Sequence, residues 1–491
     1  MGVMRFRIHP PERLTDEMVQ QAYLTGLDRV AWRVESSAEN GVLSLYRSTS
    51  ESANLHMPWH IERHGMITVS SGSLMERPAP YLIPLELARG TLSQLRDQLS
   101  DWQSIGLNVP QPVRERVLGA MQSFARATTN QDDLPTCTQH SEASLRQSFE
   151  AAVLLVATYT DQCIAVRRRG GGRLSAWLGG DLGAGLLDDA TGTNFLRTFN
   201  AANVPICWHE IEATEGSSYW PICDRQIEWC RAHNLRTVAG PLLKLSPHGL
   251  PDWLALWEDD FDNLLAFVEE FVRSAVTRYR GQVDLWQCAG RVNTGDVLCL
   301  SEQDKLRLTA RSVELVRQLD PEVPAAISLD QPWAEYMSRH DADFPPLHFA
   351  DTLIRAGLNI SGLVLEMNLG ASPGGTLPRS PLELSRQLDA WGALGLPLYL
   401  YLSTPSDVTN DPLARRSVQL PPGKWTPRIQ QAWIARYVPL MLAKPYVAGV
   451  FWNQLRDAEL HEFPHTGLFD HHGRPKPALK TLGAIRHAHL R

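Results

Sequence analysis

At 491 residues the chain is too long for one small core, and two or three domains are expected. A hydrophobic share of 43% with 21% charged residues belongs to a globular protein and sets intrinsic disorder aside. The formal net charge of -7 leaves no surplus of positive charge for a nucleic acid or an anionic membrane, so neither is expected as a partner.

The opening stretch, "MGVMRFRIHPPERL", lacks the apolar core of a secretory signal. "RVAWRVES", "GVLSLYRST" and "GMITVSSGSL" then carry β-branched or alternating apolar residues between Gly, Asn and Ser. They predict a β-rich, sandwich-like domain over residues 1–90. Near Leu85 the period changes: Leu92, Leu95, Leu99 and Trp102 stand at helical spacing, and "VRERVLGAMQSFARATT" repeats the pattern. With a third helix over roughly residues 141–159, residues 91–170 read as a helical connector. Its longest apolar run, "AAVLLVATY", is far short of a membrane span. "RRRGGGRLS", at 167–175, lacks the spacing of a phosphate loop and reads as a turn or linker.

From Leu174 onward short apolar runs alternate eight times with amphipathic segments. The runs are "LSAWLGGDLG", "VPICWHEIE", "LRTVAGPLLKL", "VDLWQCAG", "VPAAISLDQ", "ISGLVLEMNLG", "LPLYLYLSTPS" and "VAGVFWNQLRD". Between them lie helical stretches, one with Ser301 as N-cap over Asp304. Eight strand-then-helix units predict an α/β fold, a (β/α)8 TIM barrel over residues 171–491. Near-continuous apolar strands suit a parallel sheet covered by helices. Seven cysteines, an odd number with no CxxC pair, point to free thiols in a reducing compartment, and a cytoplasmic location is expected.

Several stretches of this barrel resemble glycoside hydrolase family 10, the xylanase family. "WHEIEATEG" is similar to the family's KWDALEPEEG, with Trp208, Glu212 and Gly216 in step. "TRYRGQVDLWQ" resembles its GRYKGKVYAWD, "GVFWNQLRD" its TVWGLTD, and "LFDHHGRPKPAL" its LFDENYQPKPAY. The resemblance implies the barrel fold and a saccharide or glycoside ligand. It also implies two glutamates that this sequence lacks. In step with the acid/base motif WDVVNE stand Trp286 to Arg291, so an arginine replaces the glutamate, and an arginine donates no proton at neutral pH. On strand seven, where the resemblance implies a TELD nucleophile pattern, "LPLYLYLSTPS" has no acid, and Leu402 or Ser403 falls at the place of the glutamate.

Active sites of such barrels lie at the carboxyl ends of the strands. The acids there are Asp181 after strand one, Glu210 and Glu212 closing strand two, Asp330 closing strand five, Glu366 closing strand six and Asp457 closing strand eight. Glu366 follows an almost wholly apolar run, where desolvation would raise its pKa toward that of a useful acid. One reading pairs it with Asp330 beside it or Glu210 across the mouth as relocated catalytic carboxyls of a noncanonical hydrolase. Another has Arg291 neutralise Glu366 and Asp330 in a buried ion network, as in a catalytically inactive saccharide-binding or scaffold protein. A third lets Arg291 grip the carboxylate or sulfate of an acidic sugar. Arg291, Asn293, Trp208, Asn368, Tyr401 and Trp452 are the expected substrate contacts, the aromatics by stacking on sugar faces. His209, His461, His465, His471 and His472 fit no compact ligand spacing, so no metal or cofactor is expected.

Overall fold

The computed structural model describes residues 2–169, 172–340, 342–372, 374–420 and 425–491. Part of the 167–175 glycine run therefore lies outside the described residues. The chain forms two compact units. The first comprises Met1–Val166, Trp333–Asp341 and Leu377–Gln387, and the second holds the remainder.

The first unit contains two four-stranded sheets. One runs Glu35–Glu39, Val42–Arg47, Gly2–Arg7, Tyr81–Leu82, and the other Ala31–Trp32, Tyr23–Thr25, Asn54–Ile61, Gly65–Ser70. All pairings are antiparallel except the short one to Tyr81–Leu82. Three helices follow: Ile83–Ser104, Gln111–Thr129 and Leu134–Arg168. The last is much longer than its apolar run suggests. Its amino-terminal half buries small polar residues, Thr138, Ser141, Ser144 and Ser148, whose low hydrophobicity hides the helical period. By length and composition alone this helix is apolar enough to cross a membrane. It nonetheless buries Leu145, Phe149, Leu155 and Val156 within the protein, as a core helix does.

The second unit is a (β/α)8 barrel. Its strands are β1 (Trp177–Asp181), β2 (Ala201–Val204), β3 (Arg236–Ala239), β4 (Leu285–Gly290), β5 (Ala325–Asp330), β6 (Gly362–Asn368), β7 (Leu398–Ser403) and β8 (Val447–Trp452). Each pairs in parallel with the next, and β8 closes on β1 through Gly449 to Trp452 against Trp177 to Gly180. Ala201, Val238, Leu285, Ala326, Val364, Tyr399, Tyr401 and Phe451 cluster as a core of strand side chains. Gly179 is needed there, because a side chain at that position would collide with the Phe451 ring. Ser301 caps its helix as expected, accepting from Asp304 N at 3.1 Å.

One strand is displaced from the sequence reading. The run "VPICWHEIE" is not β2; the strand is "AANV", and Trp208–Ile211 forms a helical turn after it. Pro205 has no N–H for the ladder, so the strand ends at Val204. Glu210 and Glu212 accordingly sit in the loop after β2 rather than closing the strand.

Candidate active site at the barrel mouth

Arg291 is the first residue beyond β4, with φ at 56°, in the left-handed region that side-chain-bearing residues seldom occupy. Its side chain is buried. Nε and Nη2 donate to the same Glu366 oxygen, Oε2, at 3.0 and 2.9 Å, while Nη1 donates to Glu462. The other Glu366 oxygen accepts from Ser328 Oγ at 2.9 Å. Burial pushes the Glu366 carboxyl up, but the charges of Arg291 and Lys244 and the arginine hydrogen bonds outweigh it, and the group ends below its ordinary value. The expectation of a raised pKa at Glu366 is thus overturned by its partner.

Asp330 faces Glu366 in register on β5. It is buried, accepts from Gln331 N at 2.9 Å, and is pushed up because burial exceeds the pull of Arg291. Two adjacent acids beside one guanidinium do not share it evenly, and Glu366 takes the contact.

A cavity of about 380 Å³ opens at the carboxyl ends of the strands, with Glu366 in its wall and Asp330 outside it. From β1 comes Asp181, half-buried. Its carboxylate accepts from Gly183 N at 2.7 Å and from Asn203 Nδ2 at 2.6 Å, and Asn203 Oδ1 in turn accepts from Tyr401 Oη at 3.0 Å. Burial outweighs these bonds and pushes Asp181 up to about 6. From the loop after β8 comes Glu462, which collects Arg291, Arg416 Nη2 at 2.6 Å and Lys244 Nζ at 3.4 Å. Burial works against the Glu462 charge, yet these cations hold it well below the usual carboxylate range. The loops after β7 and β8 are joined by backbone bonds, Arg415 N to His461 O at 2.9 Å and His461 N to Leu413 O at 3.1 Å.

Of the residues expected in the site, Glu366, Glu210 and Tyr401 line the cavity; Glu210 is exposed at its edge. Arg291 stands behind the wall, bonded to two lining carboxylates. The other expected contacts do not line it, and each has a partner inside the protein. Asn293 Nδ2 donates to Asp330 O at 2.8 Å and its Oδ1 accepts from Asp330 N at 2.9 Å, fixing the end of β5. Asn368 accepts from Ser403 Oγ at 2.7 Å and from Asn453 Nδ2 at 3.1 Å. Trp208 stacks on Phe271 and donates to Glu212 at 2.8 Å, while Glu212 also accepts from Gly216 N at 2.8 Å. The three residues in step with the family stretch therefore staple a loop. Trp452 donates to Thr466 O at 2.8 Å, and Asp457 holds Lys476 and Gly467 N. Among the described residues no group of three or more His, Cys, Asp or Glu is placed to hold a metal ion. His461 instead bonds Asp411 at 2.9 Å and Glu459 O at 2.7 Å.

The sequence reading gave Asp181 no catalytic role and did not single out Glu462, Lys244, Asn203, His248 or Arg415. Asp181 was findable, since it is the only acid that ends β1 and lies after two glycines. Glu462 and the Arg415–Arg416 pair lie in loops of no regular period, where spacing carries no signal.

No family model matches the sequence, and no curated relative does. Among solved structures, the chain is similar to xylanase 10B from Thermotoga maritima, at 15% identity and TM-score 0.49, covering 63% of this chain and 94% of that one. It is likewise similar to xylanase 10B from Thermotoga petrophila in complex with xylobiose, at 13% identity and TM-score 0.49, covering 67% and 96%. A GH10 structure from Paenibacillus barcinonensis gives 16% identity and TM-score 0.48, covering 67% and 98%. Likeness this distant carries nothing about chemistry, which rests on the residues of the cavity.

Proposed function

We propose that the barrel acts on a saccharide or glycoside and hydrolyses an O-glycosyl bond, with Asp181 as proton donor. The observation that carries this reading is the opposed charge state of two carboxyls in one cavity wall. Asp181 is pushed up to about 6 by burial, and Glu366 is kept ionised by Arg291. In the proposed step the Asp181 carboxyl gives its proton to the glycosidic oxygen. The carbon–oxygen bond breaks with its electron pair going to that oxygen, and the Glu366 carboxylate stabilises the positive charge developing on the ring. Water then adds to the anomeric carbon and returns a proton to Asp181. Ordinary xylanase activity is not expected on the sequence resemblance, in which Arg291 and either Leu402 or Ser403 stand in step with the family's two glutamates.

A second reading, binding without hydrolysis, is favoured by one observation: both oxygens of Glu366 already have partners. A panel of aryl glycosides and short oligosaccharides, assayed for released aglycone or reducing ends, separates the two. Turnover by the wild type that is lost in Asp181→Asn and reduced in Glu366→Gln supports hydrolysis. Saccharide binding without turnover on any member supports the binding reading, and turnover retained in Asp181→Asn removes Asp181 from the chemistry.

A further inference from the structure

The charges around the cavity are unevenly committed. Lys244, from the segment after β3, and Arg415 and Arg416, from the loop after β7, line it, and Arg291 stands behind its wall. Against these four cations stand two tightly paired carboxylates, Glu366 and Glu462. Arg456, also in the lining, is matched by Glu459 at 3.0 Å. Arg415 differs from all of them: among the described residues no carboxylate lies within ion-pair distance of it. Lys244 Nζ has three protons and one long contact, to Glu462. The remaining acids of the lining, Asp181 and Glu210, come from β1 and the loop after β2. The lining and the arginine behind it thus hold five cations (Lys244, Arg291, Arg415, Arg416 and Arg456) and five carboxylates (Asp181, Glu210, Glu366, Glu459 and Glu462), and Arg415 is the cation that no carboxylate among the described residues pairs.

A second observation points to a hydroxyl-bearing ligand. Gln287, on β4, is 2% exposed and lines the same cavity, and its Oε1 has no hydrogen-bond partner. A buried acceptor left open costs free energy unless something fills it, and a sugar hydroxyl is a matching donor.

We propose that the ligand is an acidic saccharide, its carboxylate or sulfate held by Arg415 and Lys244 and one of its hydroxyls donating to Gln287. This rests on the saccharide reading above and narrows it. A planar guanidinium receives a carboxylate or sulfate through two parallel hydrogen bonds, and the ammonium of Lys244 adds a point charge. The Arg416–Glu462–Arg291 contacts hold the loop that carries Arg415, whose own side chain is exposed at the cavity rim.

The test is a binding array that pairs each acidic oligosaccharide with its neutralised form. Oligogalacturonates stand beside their methyl esters, and sulfated oligosaccharides beside their desulfated forms. Binding of one acidic class at least tenfold tighter than its neutral pair, weakened by salt, is expected. Arg415→Gln should lose that tenfold preference, the acidic form then binding no more tightly than its neutral pair. Arg225→Gln, on an exposed helix face outside the cavity, should change neither. The uronate and sulfate arms say which anion is read. Equal binding of acidic and neutral forms, or an acidic preference that survives in Arg415→Gln, overturns the inference while leaving the saccharide reading in place. Acid-selective binding without hydrolysis upholds it and removes the hydrolase reading, and binding of no saccharide removes both.

Discussion

Arg291 Nε and Nη2 converge on a single oxygen of Glu366, at 3.0 and 2.9 Å, across the space between the ends of β4 and β6. The contact fixes the charge of Glu366, which stands at the end of an apolar strand. It also decides which of the two neighbouring acids, Glu366 or Asp330, stays ionised.

Removing that cation should be costly. Arg291→Ala strands Glu366 in the barrel wall and takes one partner from Glu462, and a broken buried pair is expected to destabilise by about 3–5 kcal/mol. Chemical denaturation of the variant measures this directly. An unchanged midpoint and slope would show that the pair contributes nothing.

Asp181 should trade stability for function. Its folded pKa of about 6 lies above the ordinary 3.8, so ionising it costs more in the folded than in the unfolded state. Stability from this group is full below about pH 4 and is lost as the pH rises through 6. Asp181→Asn should therefore raise stability at neutral pH by about 1–2 kcal/mol, discounted for partial exposure, and the gain should vanish in acid. Thermal melts of wild type and variant across that range give the comparison.

The same value sets the pH dependence of turnover. A proton donor works only while protonated, so hydrolysis should decline as the pH rises through about 6. The pH–rate profile of wild-type kcat/KM should show this falling limb, and Asp181→Asn should stay inactive across the range. A profile flat from mildly acid to mildly alkaline pH would contradict the assignment.

His248 reports on Arg415. Burial first, and then the Arg415 charge, holds its imidazole below the usual value. Arg415→Gln should move the His248 titration upward, as read from its ring C–H signals by NMR. No movement would mean that the guanidinium points away from the cavity.

Glu462 should act as a clasp on its loop. Glu462→Gln removes the charge that gathers Arg291, Lys244 and Arg416, so the paired loops around Leu413–Arg416 and His461 should open more often. Faster amide exchange at Arg415 and His461, with barrel strands unchanged, is the expected pattern.

The sequence by itself determined the barrel. Strands buried on both faces must be continuously apolar, and seven of the eight runs hold a barrel strand, while β2 begins three residues before its run because Pro205 stops the ladder. It also marked Arg291 and Glu366 as a pair to watch, since an arginine and a glutamate at strand ends of one barrel mouth have few other ways to be buried. Only the tertiary structure decided which acids face the cavity. Asn293, Asn368, Trp208 and Trp452 look like ligand contacts in one dimension because strand ends and aromatics draw attention there, yet each has a near partner within the fold. Glu462 and Lys244 lie 218 positions apart, and Arg291 and Glu462 lie 171 apart. Closure of the barrel brings them to one mouth, and long-range electrostatics of that kind leave no periodic trace in the chain.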